Sequence, residues 1–273
     1  MINGKASVFS HYVKRDWNQL YFLIADIHFD SPKCNRKLLS RLLKQAKEDN
    51  AFIMIFGDLF DCMGGKYDPR THKGDILEKY KGKNYFDLII NDAVEYFQPY
   101  KDNILFIAPG NHEFTVTKKH EFSMIDRFIK ELNPNIIKGE YAGFIRFKFE
   151  ASNGGRRSSK VMYYTHGSGG NAPVTKGVIK ISRRMNIIDA DIYVSAHVHQ
   201  PWNVPTTRIK LSLSNKIIKY EQEHIQLPSF KEVGDWETRG EMGSAPSGGY
   251  WMNFLMRYIG DQGFIDQDVM RAK

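Results

Sequence analysis

Short apolar runs alternate with amphipathic stretches over the first 110 residues. Leu20 to Ala25 (LYFLIA), Ala51 to Phe56 (AFIMIF) and Ile104 to Ala108 (ILFIA) have the length and texture of strands buried on both faces. Between the first two, the stretch opening at Asn35 carries Leu38, Leu39, Leu42, Leu43 and Ala46 on one helical face, with Asn35 as its cap. Phe86 to Phe97 supports a second helix. This order of strand, helix, strand, helix, strand implies parallel pairing with crossovers. The pattern then changes. Ala142 to Glu150 and Lys160 to Thr165 read as a hairpin turning at Ser152-Asn153-Gly154-Gly155. A helix is expected at about Thr175 to Ile188, a strand at Asp191 to Ser195, and further strands between Pro201 and Leu213. The tail from Gly234, rich in Gly, Trp and Tyr, has no clear periodicity. No repeat, low-complexity tract or linker divides the chain. The expectation is one α/β domain over 1–273 with two mixed sheets.

What ends each strand carries the chemistry. Asp26-Ile27-His28 follows the first run, and Gly57-Asp58-Leu59-Phe60-Asp61 the second. Gly110-Asn111-His112-Glu113 follows the third, His166-Gly167 the strand at 160–165, and His197-Val198-His199 the strand at 191–195. Ligands of α/β sheets bind at such C-terminal strand edges. Asp and His are the oxygen and nitrogen donors that suit borderline divalent metals. In an extended Asp-x-His or His-x-His, alternate side chains face the same way. A carboxylate such as Asp58 has two oxygens and is able to bridge a metal pair, and two metals about 3.5–4 Å apart jointly activate water and neutralise phosphoryl oxygens. Each piece has a bland alternative: a turn at Gly57-Asp58, a cap at Asn111, a hydrogen-bonded half-buried His166. Five such strand ends in one order do not.

The series D-x-H, G-D-x-x-D, G-N-H-E, H-G and H-x-H, from Asp26 to His199, resembles the calcineurin-like metallophosphoesterase superfamily. The resemblance implies a four-layer α/β/β/α sandwich with two mixed sheets and the metals at the strand ends. It implies that Asp26, His28, Asp58 and His199 hold one divalent metal ion, and that Asp58, Asn111, His166 and His197 hold a second. The nucleophile would be a metal-bridging hydroxide. His112 is then the general acid, and Asp61 either orients His112 or bonds loop backbone. Two departures stand out. Ala196 replaces the Gly that often precedes H-x-H, and Cys62-Met63 follows G-D-x-x-D where protein Ser/Thr phosphatases carry Arg-Gly.

Composition narrows the substrate. The net charge of +8 and the 39 Lys and Arg against 31 Asp and Glu favour polyanionic partners. A basic insertion at 62–84 begins immediately after an active-site motif. It interleaves Lys66, Arg70, Lys73, Lys79, Lys81 and Lys83 with Tyr67, His72 and Tyr80, an arrangement suited to phosphate contacts and base stacking; a solvated loop is the plain alternative. The expected activity is therefore phosphodiester hydrolysis on nucleic acid or nucleotides, similar to the nuclease branch of the superfamily, with Mn²⁺ favoured over Fe, Zn²⁺ or Mg²⁺. A phosphomonoesterase is the alternative. A non-catalytic binding module, as in a retromer scaffold subunit, is a further one. The two cysteines, Cys34 and Cys62, are read as reduced thiols. No secretory signal or membrane-spanning run is evident, so a cytoplasmic protein without a membrane partner is expected.

Overall fold

The computed structural model describes residues 6–62, 76–151, 157–169, 178–179, 183, 186–212, 214–232 and 245–273. Twelve strands among them form two six-stranded sheets. The first sheet contains β1 (Ser7–Val13), β6 (Ala142–Ala151), β7 (Arg157–Thr165), β8 (Ile192–Ser195), β10 (Ile217–Gln226) and β9 (Trp202–Leu211), in that spatial order. The second runs β12 (Gln262–Ala272), β11 (Gly249–Ile259), β2 (Asn18–Ile24), β3 (Phe52–Phe56), β4 (Ile104–Ala108), β5 (Ile137–Lys138). Both are mixed: β2, β3, β4 and β5 are parallel while β11 and β12 run antiparallel, and β7, β8 and β10 are parallel beside antiparallel neighbours.

The continuous apolar run of β2 has a direct cause. Phe22 and Ile24 point into a core beneath the helices, whereas Tyr21 and Leu23 point into the core between the two sheets. A strand covered on both faces has no polar side to alternate with. On the helical side lie α1 (Arg36–Glu48), α2 (Tyr85–Phe97) and α4 (Met124–Leu132). Helix α1 buries Leu39, Leu42, Leu43 and Ala46, and the Asn35 side chain accepts from the Leu38 amide at 3.0 Å. Fully burying each of those leucines contributes roughly 1.5–3 kcal/mol. The helix expected at about 175–188 falls for the most part outside the described residues. So does the turn at 152–155.

Among the elements that the pattern did not predict are β1, two helices and the strands of the tail. Strand β1 buries only Phe9 and Val13 amid Ser, His and Tyr. Helix α3 (Asn111–His120) buries only Glu113 and Val116, leaving almost no apolar stripe to read. Helix α4 does carry a stripe, Met124, Ile125, Phe128, Ile129 and Leu132, and Ser123 caps it. The tail from 249 forms β11 and β12, and β11 lies directly against β2, with Trp251 stacked on Phe22 at 4.4 Å. No helix among the described residues is long and apolar enough to cross a membrane.

Candidate metal centre

All five chemistry-bearing strand ends meet at one edge of the sandwich. The backbone there departs from the extended form expected for Asp-x-His and His-x-His. Asp26, His28, Asp58, His197 and His199 all adopt left-handed φ between 48° and 70°. Such a conformation costs roughly 1–2 kcal/mol per non-glycine residue and persists only where surrounding contacts enforce it. Those contacts are present. The Asp26 amide donates to the Gly57 carbonyl (3.0 Å) and the His28 amide to the Asp58 carbonyl (3.0 Å), stitching the first two loops together. The Phe230 amide and the Ser229 hydroxyl both donate to the Asp26 carbonyl, at 3.0 and 2.8 Å. The His197 amide donates to Asp26 Oδ2 (2.9 Å), and the His112 amide donates to Asp58 Oδ1 (2.9 Å).

Two glycines permit this crowding. A Cβ on Gly57 would lie 2.2 Å from His166 Nδ1, and one on Gly110 would lie 2.2 Å from Asp58 Oδ1. Buried Glu113 braces the same loops, accepting from the Phe60 and Gly110 amides at 2.8 Å each. Burial and then the Asp58 charge push the Glu113 carboxyl up to about 8.

Among the described residues three groups of donors result, one of them His28, Asp61 and His112, and the other two drawn from the expected ligands. Asp26, His28 and His199 form one; Asp58, His166 and His197 form the other, the ligand atoms of each lying within 4.8 Å of one another. Asp26 Oδ1 is 3.2 Å from His199 Nε2 and 4.0 Å from His28 Nε2, and Asp58 Oδ2 is 3.0 Å from His166 Nε2. Donors held about 2.1 Å from a shared ion lie about 3.0–4.2 Å apart, depending on the angle between them. The spacing therefore fits.

The hydrogen-bond inventory makes the same point. His28 Nδ1 meets the Asp61 carboxylate at 2.7 Å, and an ionised carboxylate only accepts, so Nδ1 carries the proton and Nε2 the lone pair. That Nε2 is buried and has no hydrogen-bond partner among the described residues. Burial, against the pull of Asp61, takes the His28 imidazolium down to about 4, so at neutral pH the ring is an uncharged ligand. His166 Nδ1 donates to the Phe56 carbonyl at 3.0 Å, again directing Nε2 inward. Three oxygens converge on that Nε2: Asp58 at 3.0 Å, Asn111 at 3.0 Å and Asp26 at 3.9 Å. Burial opposes charging His166, yet the Asp58 and Asp26 carboxylates outweigh it and hold the imidazolium up to about 10. A proton on His166 and a divalent cation are two ways of neutralising one pair of buried carboxylates. The donor set fits divalent metal binding.

His112 and Asp61 sit beside the expected ligands. His112 Nδ1 donates to the backbone carbonyl of Asp61, while the Asp61 carboxylate is 3.8 Å away, so main chain rather than side chain sets the ring's orientation. His112 Nε2 faces the centre, 3.8 Å from Asp58 Oδ2. The Asp61 carboxylate instead grips His28 and Lys231, whose Nζ donates to both its oxygens at 2.9 and 3.1 Å. Lys231 was invisible to motif reading because it stands far along the chain and outside any motif. So was Asp30, buried, which accepts from the amides of Asp61 (2.6 Å) and Cys62 (3.0 Å) and from the Tyr85 hydroxyl (2.9 Å).

The insertion at 62–84 is described only at its ends, and Lys66, Tyr67, Arg70, His72 and Lys73 lie outside the described residues. Tyr80 does not serve for stacking on a base. It is buried, and its hydroxyl joins Arg36 and Asp92. Lys79 is paired with Asp92 (2.8 Å) and Lys81 with Glu78 (2.6 Å).

The sequence profile described as calcineurin-like phosphoesterase matches residues 21–201. No curated protein sequence matches the chain. Among solved structures it is similar to vacuolar protein sorting 29 of Cryptosporidium parvum, with 12% identity, TM-score 0.36, and coverage of 94% of this chain and 100% of that one. It is also similar to GAP50, the anchor in the inner membrane complex of Plasmodium, with 11% identity, TM-score 0.43, and coverage of 94% and 89%.

Proposed function

Since the chain belongs to the calcineurin-like phosphoesterase family, we propose that it hydrolyses phosphodiester bonds, in nucleic acid or nucleotides, with two divalent metal ions, Mn²⁺ foremost. Asp26, His28 and His199 would hold one ion. Asn111, His166 and His197 would hold the other, and Asp58 would serve both. The observation that carries this reading is the convergence of two buried carboxylates and an amide oxygen on His166 Nε2, beside an unpartnered buried His28 Nε2. When bound, such ions supply Lewis acidity that lowers the pKa of water towards about 7 and neutralises phosphoryl oxygens.

The protein's own part is positioning and proton transfer. The Phe56 carbonyl and the Asp61 carboxylate each hold one ring Nδ1–H, so His166 and His28 present Nε2 inward. The Asp61 carbonyl does the same for His112, whose Nε2 would give a proton to the departing oxygen. No covalent enzyme intermediate is needed. A diester substrate is favoured by the net positive charge and by the absence of an arginine after G-D-x-x-D, where Cys62 and Met63 stand.

Turnover of bis-p-nitrophenyl phosphate, p-nitrophenyl phosphate, and single- and double-stranded DNA with Mn²⁺ tests the assignment. Diester and DNA cleavage is expected, with His112→Ala slowing it by about 10²–10⁴-fold while metal binding persists. Activity on the monoester alone would move the substrate to small phosphorylated metabolites. Full metal binding with no turnover of any substrate would favour a binding module.

A further inference from the structure

Strands β9 and β10 form a ribbon that outgrows its sheet. Strand β8 pairs with β10 only over Glu223–Gln226, whereas β9 and β10 stay paired out to Leu211 and Ile217. The outer half of the ribbon therefore has no sheet neighbour among the described residues, and all side chains at 209–211 and 217–219 are exposed. Register separates its two faces. Ile209 lies opposite Lys219 and Leu211 opposite Ile217, which sets Ile209, Leu211 and Ile217, at 66%, 66% and 74% exposure, on one face together with Lys219. Arg208 and Lys210 occupy the other face, opposite Tyr220 and Ile218, and Lys216 stands at the tip. No acidic residue occurs between Asp191 and Glu221.

We propose that this ribbon attaches the protein to an anionic lipid surface. Three large aliphatic side chains gathered on one solvated face need a cover. Lys210, Lys216 and Lys219 beside them, in a stretch with no acidic residue from Ile192 to Tyr220, specify a negatively charged one. A lipid leaflet supplies both at once, an acyl region for the aliphatic face and headgroup phosphates for the lysines and arginine. Nucleic acid answers only the cationic half: Tyr220, the ring nearest the tip, is half-buried and already lies under the Lys210 ammonium at 4.9 Å, and the aliphatic face would stay in water. The earlier expectation of no membrane partner rested on the lack of a spanning segment, which has no bearing on surface attachment. At about 3.3 Å per residue, the stretch from Gln226 back to Ile217 is roughly 30 Å long. Gln226 bonds to the Ala196 carbonyl beside the metal centre, so the tip works at a distance from it.

Co-sedimentation of the full chain with vesicles of phosphatidylcholine, alone or mixed with phosphatidylserine, tests the proposal. Binding is expected only with phosphatidylserine and should weaken as salt rises. Lys210→Glu with Lys219→Glu should reduce it by more than about tenfold, because each cation near such a surface is worth about fivefold. Ile209→Ser with Ile217→Ser should reduce it about tenfold. Unchanged Tm of both variants certifies their fold. Binding that ignores phosphatidylserine, or survives in both variants, would overturn the proposal. So would absent vesicle binding accompanied by a dimer or a DNA complex that the same substitutions abolish.

Discussion

At the scale of single residues, the centre depends on contacts with almost no slack. Glycines 57 and 110 stand where any Cβ would strike His166 or Asp58 at 2.2 Å. Gly57→Ala or Gly110→Ala should therefore weaken Mn²⁺ binding severely, as read by calorimetric titration; a wild-type affinity in either would show that the loops yield easily. Lys231 acts one step further out. It holds Asp61, and Asp61 holds the tautomer of His28. Its own segment is fixed independently, by bonds from the Phe230 amide to Asp26 and from the Glu232 amide to Lys33. Lys231→Met should lower metal affinity by about 10–100-fold with little change in apo Tm, and Lys231→Arg should restore most of it. Equal affinity in Lys231→Met and wild type would reduce Lys231 to a surface contact. The residues that converge on the centre were readable because each sits in a short motif after an apolar run. Lys231 and Asp30 were not, because nothing local in sequence records a contact made across the fold.

At the scale of elements, legibility tracked burial geometry. Strands β2, β3 and β4 are sandwiched and read as solid apolar runs, and α1 shows an unambiguous stripe. Helix α3 lacks that signal since its task is to present Asn111 and His112 at its first turn rather than to fill a core. Strand β10 mixes both roles. Its outer half is the exposed ribbon, and its inner half buries Gln222, Glu223 and His224. His224 stacks on Tyr193 at 4.8 Å, with neither ring nitrogen hydrogen-bonded among the described residues. Burial, helped by the Arg208 charge, lowers its pKa to about 4 from 6.5. Between those values the unfolded chain binds the proton that the fold refuses. The contribution of His224 to stability is thus complete above pH 6.5 and falls as pH drops towards 4, at up to about 1.4 kcal/mol per pH unit. Thermal melts from neutral to mildly acid pH should show wild type losing more stability than His224→Phe. Parallel curves would mean that His224 stays neutral in both states or charges freely in both.

At the scale of the whole molecule, two sheets of different origin converge on one edge. The second sheet delivers Asp26, Asp58 and Asn111 from β2, β3 and β4, and the first delivers His166, His197 and His199 from β7 and β8. Each of the two groups drawn from the expected ligands takes donors from both sheets, so cation binding should tie the halves of the sandwich together and raise Tm with Mn²⁺ concentration. The tail, opaque in sequence, matters here as framework: β11 flanks β2 and fixes the strand from which Asp26 and His28 spring. The most direct test of the account is a calorimetric Mn²⁺ titration of the metal-free chain, paired with Asp58→Asn. Two equivalents bound by wild type, with loss of at least one in the variant, is the predicted result. A chain that binds no divalent metal, or binds the same number without Asp58, would contradict it.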